Sequence, residues 1–172
     1  VITTFVDQMC LDGKVDTVLI AHGTLPDQFD CQNSLHKTNE ALLINGLSPA
    51  QFAEAFVKKM ESTDHGTLAI IGSVAGDRGR KSNYIYGSAK GLVTRYAQGL
   101  QHRLAKTNVN VVLIKPGPTD TPMTAALKEQ GTSLASAESV AADIVSGIAK
   151  SDKVIYTPKK WAVIMMIIRH LP

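Results

Sequence analysis

Four short apolar runs, rich in β-branched residues and closed by glycine or proline, alternate with longer stretches of helical period. They are "DTVLIAHG" at 16–23, "GTLAIIGSVAG" at 66–76, "NVNVVLIKPG" at 108–117 and "DKVIYTP" at 152–158. Runs of this kind suit buried strands. A helix-length crossover between each pair predicts parallel neighbours covered on both faces, because parallel strands need such a connection. A chain of 172 residues has room for one domain of this kind with a hydrophobic core. Its 44% hydrophobic and 19% charged content excludes wholesale disorder.

Between the strands, residues 35–45 read as helix. "SPAQF" then offers Ser48 as an N-cap, Pro49 at the first helical position and Gln51 three residues past the cap, the pattern of a capping box. Phe52, Phe56 and Met60 follow at four-residue spacing, so 35–61 is expected to be one helical path broken at 45–48. Helices are also expected at about 84–106 and 135–150, and a polar loop at 24–34 around Pro26.

The formal charge is +3, and the positive residues are scattered, which argues against nucleic acid as the main partner. Cys10 and Cys31 lack metal-ligand spacing and read as reduced thiols of a cytoplasmic protein. The opening "VITTFVDQMCLDGK" is not a basic start followed by an apolar run, so it does not read as a secretory leader. His36, His65, His102 and His170 share no spacing that suggests a metal, and none is expected.

In a parallel α/β sheet, ligands sit beyond the carboxyl ends of the strands. Those ends here are His22-Gly23, Ser73 and Pro116-Gly117. Tyr86 and Lys90 lie one helical turn apart, so both side chains can reach one cleft. A free phenol has a pKa of about 10, and a nearby ammonium is expected to lower it. Tyr86 is then suited to act as general acid towards a carbonyl or general base towards an alcohol. Ser73 would hold the same oxygen, and backbone groups freed at Asn45 would bind a water that feeds protons to Lys90. His22 reads as a strand-end residue lining the cleft.

Ser73, Tyr86 thirteen residues later and Lys90 four beyond that resemble the catalytic motif of the short-chain dehydrogenases/reductases. "VLIAHG" resembles the family's Asn-Asn-Ala-Gly segment, keeping firmly only Gly23. Asn45 falls where the family has a fourth catalytic residue on a kinked helix. "KPGPTDTPM" at 115–123 resembles the Pro-Gly-x-x-x-Thr segment that lies against nicotinamide. The resemblance implies catalytic roles for Asn45, Ser73, Tyr86 and Lys90. It implies cofactor contacts at Gly23, Tyr86, Lys90, Pro116, Gly117 and Thr121. The cofactor would be NAD or NADP, with NADP slightly favoured, the substrate a small carbonyl or alcohol, and the intact protein a homo-oligomer. The Gly-Asp-Arg-Gly-Arg loop at 76–80 and the ending "VIYTPKKWAVIMMIIRHLP" look like reductases related to the one that completes 2-epimerisation of decaprenylphosphoryl ribose.

Matched in this way, the fold class is α/β, a partial Rossmann-type doubly wound parallel sheet lacking the first three strands. Residues 1–172 would be the C-terminal two-thirds of a single domain. The family's glycine-rich pyrophosphate turn and its ribose-selecting residue have no counterpart in this sequence. These residues alone are therefore expected to bind a dinucleotide poorly and to turn over little. The alternative is a fragment or binding module that keeps the fold without cofactor binding.

Two segments have open readings. "WAVIMMII" at 161–168 is apolar all round, so as a helix it must be buried or meet lipid. It either closes the core or packs on a partner subunit, or, with the basic residues in 159–171, makes an interfacial membrane contact. Asp77, Arg78 and Arg80 form either an anion-binding loop or a solvated charged one.

Overall fold

The computed structural model describes residues 1–11, 13 and 15–171. Four parallel strands form one sheet in the order β1 (Thr17–Ile20), β2 (Gly66–Ile71), β3 (Val109–Pro116), β4 (Val154–Thr157). The helices are α1 (Ile2–Met9), α2 (Gln28–Asn33), α3 (Leu35–Leu42), α4 (Ser48–Thr63), α5 (Tyr84–Arg103), α6 (Ala125–Glu129), α7 (Ala137–Ala149) and α8 (Lys160–Ile168). A π-helical turn, Leu43–Leu47, joins α3 to α4.

The period-two pleat sorts the strand side chains into two cores. Leu68 and Ile70 of β2 and Val109, Val111 and Leu113 of β3 pack with Ala53, Phe56, Val57 and Met60 of α4 and Val93, Ala97 and Leu100 of α5. Their neighbours Ala69, Val112 and Ile114 point the other way, against Ile155 of β4 and Ile144 and Ile148 of α7. Both faces of the sheet are covered, as the uninterrupted apolar runs require. β1 pairs with β2 and lies at the end of the strand order, with Leu19 half exposed.

Three local expectations are corrected. Ser48 is not an N-cap: it is helical (φ −59°, ψ −49°), and its N–H donates to Leu43 O five residues back. The chain does not break there but widens. Residue 49 would normally donate to the Asn45 carbonyl, and Pro49 has no N–H to give. A π turn accommodates that defect within a continuous helical path. The 24–34 loop contains α2, because Asp27 accepts from Asp30 N at 2.8 Å and caps a short helix despite the turn-forming composition. The 66–76 strand stops at Ile71, where Gly72 and Ser73 leave the ladder and Ser73 caps a 3₁₀ turn at Val74–Gly76.

Both cysteines are free. Among the described residues no helix is long and apolar enough to cross a membrane. In α8, Met165 is fully buried, whereas Val163, Met166 and Ile167 are more than half exposed.

Candidate active site

β1 ends at Ile20, so His22, Gly23 and Thr24 emerge above the sheet beside the π turn. Asn45 is fully buried there. Its Oδ1 accepts from Thr24 N at 2.9 Å, and its Nδ2 donates to Thr24 Oγ1 at 3.2 Å and to Ala41 O at 3.0 Å. Asn45 thus ties the helical path to the end of β1. Gly23 permits this closeness: a Cβ at that position would lie 2.9 Å from Asn45 Oδ1 and 3.6 Å from Lys90 Nζ.

Lys90 reaches this place from the first half of α5. Its Nζ donates to Ile71 O at 3.0 Å, the last carbonyl of β2, and stands 5.8 Å from the centroid of the Tyr86 ring. Only 3% of the residue is exposed. Burial in low dielectric disfavours the ammonium, and the Lys90 pKa falls to about 8. The same charge, after burial, helps hold His22 below the usual histidine value. His22 Nε2 shares a 3.0 Å hydrogen bond with Ser48 Oγ.

Tyr86 faces Ser73. Burial pushes the phenol above its ordinary value, while hydrogen bonding to the Ser73 side chain pulls the other way. The expected lowering by Lys90 is therefore corrected. Removing the phenol from water outweighs any help from an ammonium that sits over the ring. Ser73 Oγ also accepts from Ala75 N at 3.1 Å, which fixes the rotamer presented to Tyr86.

Asn45, Gly23 and Lys90 thus share one contact group, and Ser73, Tyr86 and Lys90 share another through Lys90 and the end of β2. Pro116 and Gly117 stand beside them: β2 and β3 are paired, and Gly72 N donates to Ile114 O at 2.7 Å. Thr121 lies further on, where it starts a 3₁₀ turn with its Oγ1 3.4 Å from Thr124 Oγ1. No described contact joins it to the other site residues.

Asp77 and Arg78 are turned into the protein, whereas Arg80 is exposed. Asp77 and Lys115 form an ion pair with side chains 2% and 3% exposed, and Tyr156 Oη donates to Asp77 Oδ2 at 2.7 Å. Arg78 Nη1 donates to Ile168 O at 2.8 Å and to Leu171 O, at the end of α8. The signal for this cluster lay in "VVLIKPG": a lysine inside an apolar strand needs a buried counter-charge. Thr24 gave little sign of its partnership with Asn45, and the Ile71 carbonyl, being backbone, gave none. A groove of about 490 Å³ lined by Leu92, Arg95, Tyr96, Gly99, Leu100 and Arg103 runs along α5 and contains none of these site residues.

The family model described as short chain dehydrogenase matches residues 1–132. An uncharacterized oxidoreductase of Streptomyces coelicolor is 29% identical over 160 residues, covering 93% of this chain and 63% of the relative. The chain therefore spans less than two thirds of that relative's length. Among solved structures, a short-chain dehydrogenase from Sphingobium yanoikuyae in complex with NADPH superposes with a TM-score of 0.83. The two are 16% identical, over 99% of this chain and 71% of that one. A 3-oxoacyl-[acyl-carrier protein] reductase from Brucella melitensis in complex with NAD gives 0.77 at 22% identity, over 90% and 70%. With a family model matched over most of its residues and this architecture, the chain belongs to the short-chain dehydrogenase family.

Proposed function

We propose that these residues carry the nicotinamide end of the active site of a carbonyl reductase or alcohol dehydrogenase, with Tyr86 as its general acid and base. The observation that supports it most directly is the meeting of a half-buried phenol, a serine hydroxyl and a buried ammonium at the ends of β1 and β2. Burial keeps the Tyr86 proton in place at neutral pH, the state a proton donor needs when a carbonyl is reduced.

The residues present suit a nicotinamide dinucleotide. Lys90 Nζ has three protons to donate and one described hydrogen bond, to Ile71 O, so it can hold ribose hydroxyls. Gly23 brings bare backbone close to Asn45 and Lys90, where any side chain would collide with Asn45 Oδ1. Pro116 and Gly117 would line the nicotinamide, with Thr121 on the segment beyond. When bound, the cofactor supplies or accepts the hydride. Both NAD and NADP forms occur on chains of this fold.

Ser73 and Tyr86 together would hold the substrate oxygen. As the new C–H bond forms, the proton passes from Tyr86 Oη to that oxygen, giving the alcohol and leaving a phenolate. The Lys90 ammonium, above the ring, stabilises that phenolate. Asn45, bound to Thr24 and Ala41, keeps the helical path fixed beside Lys90 and is a positioning residue. Oxidation of an alcohol runs the same steps backwards.

The test is carbonyl reduction by the full-length protein, followed as oxidation of NADPH or NADH with a panel of ketones and β-keto esters. Tyr86→Phe is expected to lower kcat by about 100-fold or more, the usual share of a positioned proton donor, with cofactor binding retained. Undiminished turnover by Tyr86→Phe would remove the proposed role.

A further inference from the structure

We propose that α8 is a brace for the ligand side of the site: Arg78 grips its C-terminal end while Trp161 seats its N-terminal end on Gly117. The inference rests on the reading above for what binds at Gly117, and on contacts independent of that reading for the brace itself. The indole of Trp161 occupies the space where Gly117 would have a side chain, with Nε1 only 1.9 Å from an ideal Cβ. Glycine is therefore required there by close approach. From the sheet side, Gly117 N donates to Thr157 O at 2.9 Å, and the buried Thr157 is held through Oγ1 by Asp143 Oδ2 at 2.8 Å. The Pro116-Gly117 backbone is thus clamped between β4 and the first turn of α8.

The other end of α8 is tied to the loop that carries Ser73. Arg78 donates to the carbonyls of Ile168 and Leu171, supplying positive charge and donors where a helix end has unmatched carbonyls. Arg80 Nη2 lies 4.0 Å from Sδ of the fully buried Met165. Asp77, next to Arg78, is anchored by Lys115 of β3 and by Tyr156 of β4, and Lys115 Nζ lies 5.4 Å from the Tyr156 ring centroid. Breaking a buried pair of this kind leaves an uncompensated charge, which makes the anchor stiff. Ser73 and Gly117 sit at neighbouring strand ends, so α8 fixes one against the other. Arg78 is accordingly a positioning residue: it touches no substrate and acts through Trp161 and Gly117.

Trp161 is the sole tryptophan of the sequence, and its emission in the full-length protein is isolated by subtracting the spectrum of Trp161→Phe. In ligand-free Arg78→Ala that emission should shift to the red and become several-fold more quenchable by acrylamide, with Arg78→Lys in between. NADPH affinity should fall about tenfold, the equivalent of about 1.4 kcal/mol. With ethyl acetoacetate as the probe ketone, kcat should change less than about threefold, because the Tyr86 and Ser73 hydroxyls are untouched. Should Arg78→Ala fail to melt cooperatively, Gly117→Ala, which must displace the indole, is expected to give the same spectral shift and affinity loss. Unchanged Trp161 emission in both variants, or a shift with NADPH affinity held within twofold, would overturn the brace. NADPH binding to neither wild type nor variants, with the spectral shift intact, would overturn the site reading instead.

Discussion

Burial brings the Lys90 ammonium down to about 8, against an ordinary lysine value near 10.4. At neutral pH the group is charged in both the folded and unfolded chain, so the folded state carries the cost of holding that charge away from water. Between about pH 8 and 10.4 the unfolded chain binds the extra proton, so this group makes stability rise with pH in that window. Replacing Lys90 by Met removes the charge and keeps most of the volume. It also leaves the Ile71 carbonyl without its donor, at a cost of about 1 kcal/mol or more. Lys90→Met should therefore stabilise the fold by about 1–2 kcal/mol at pH 7, the gain fading as pH rises from 8 towards 10.4, while turnover is lost. Urea melts at pH 7 and pH 10 check the stability, and the ketone assay checks the activity. A variant less stable than wild type at pH 7 would show that Lys90 holds the fold rather than the chemistry.

The π turn at Leu43–Leu47 shows how one residue without an N–H shapes a whole element. Pro49 denies the Asn45 carbonyl its regular partner, the helix widens by one residue, and Asn45 faces Thr24 at the end of β1. Pro49→Ala restores the missing donor and removes the reason for the wider turn. Tightening to an α register would rotate Asn45 away from Thr24. Melting should be unchanged or raised by up to about 1 kcal/mol, while kcat drops about tenfold as Lys90 loses a neighbour fixed beside it. Thermal melts alongside kinetics separate these outcomes, and equal kinetics would sever Asn45 from the mechanism. The place of Asn45 at a helix irregularity is legible in the sequence, as are the four strands, because an apolar run closed by glycine and a proline after a helical stretch both leave local marks. In sequence the widened turn looks like a break, since Ser48 and Pro49 imitate a helix start and nothing in composition separates a restart from a bulge. The direction of the Tyr86 shift was illegible for another reason. It depends on how much water the fold removes, which no spacing records.

At the scale of the molecule, the outer face of α5 carries an exposed leucine and an open glycine on one side. Leu92 is 44% exposed, and seven residues on, two turns along the same face, a Cβ at Gly99 would meet nothing within 4 Å. A ridge and a hollow at that separation fit a second copy packed antiparallel about a two-fold axis. Leu92 of each copy then enters the hollow at Gly99 of the other, the self-complementary arrangement a two-fold requires. The groove between them is lined by Arg95, Tyr96 and Arg103 as well as Leu92 and Leu100, an apolar centre with a polar rim. Arg103 is paired with Glu54 and Glu61 of α4, and Arg95 donates to Gln98 Oε1 at 3.0 Å. The full-length protein is therefore expected to elute as a dimer or a higher even oligomer. Leu92→Glu places two carboxylates in the apolar centre and should halve the mass seen by light scattering. Loss of fold is not expected, because surface substitutions of this kind usually change stability by less than about 0.5 kcal/mol. A wild-type monomer at tens of micromolar, or a Leu92→Glu protein of unchanged mass, would show that α5 faces solvent and that the hollow at Gly99 has no leucine to receive.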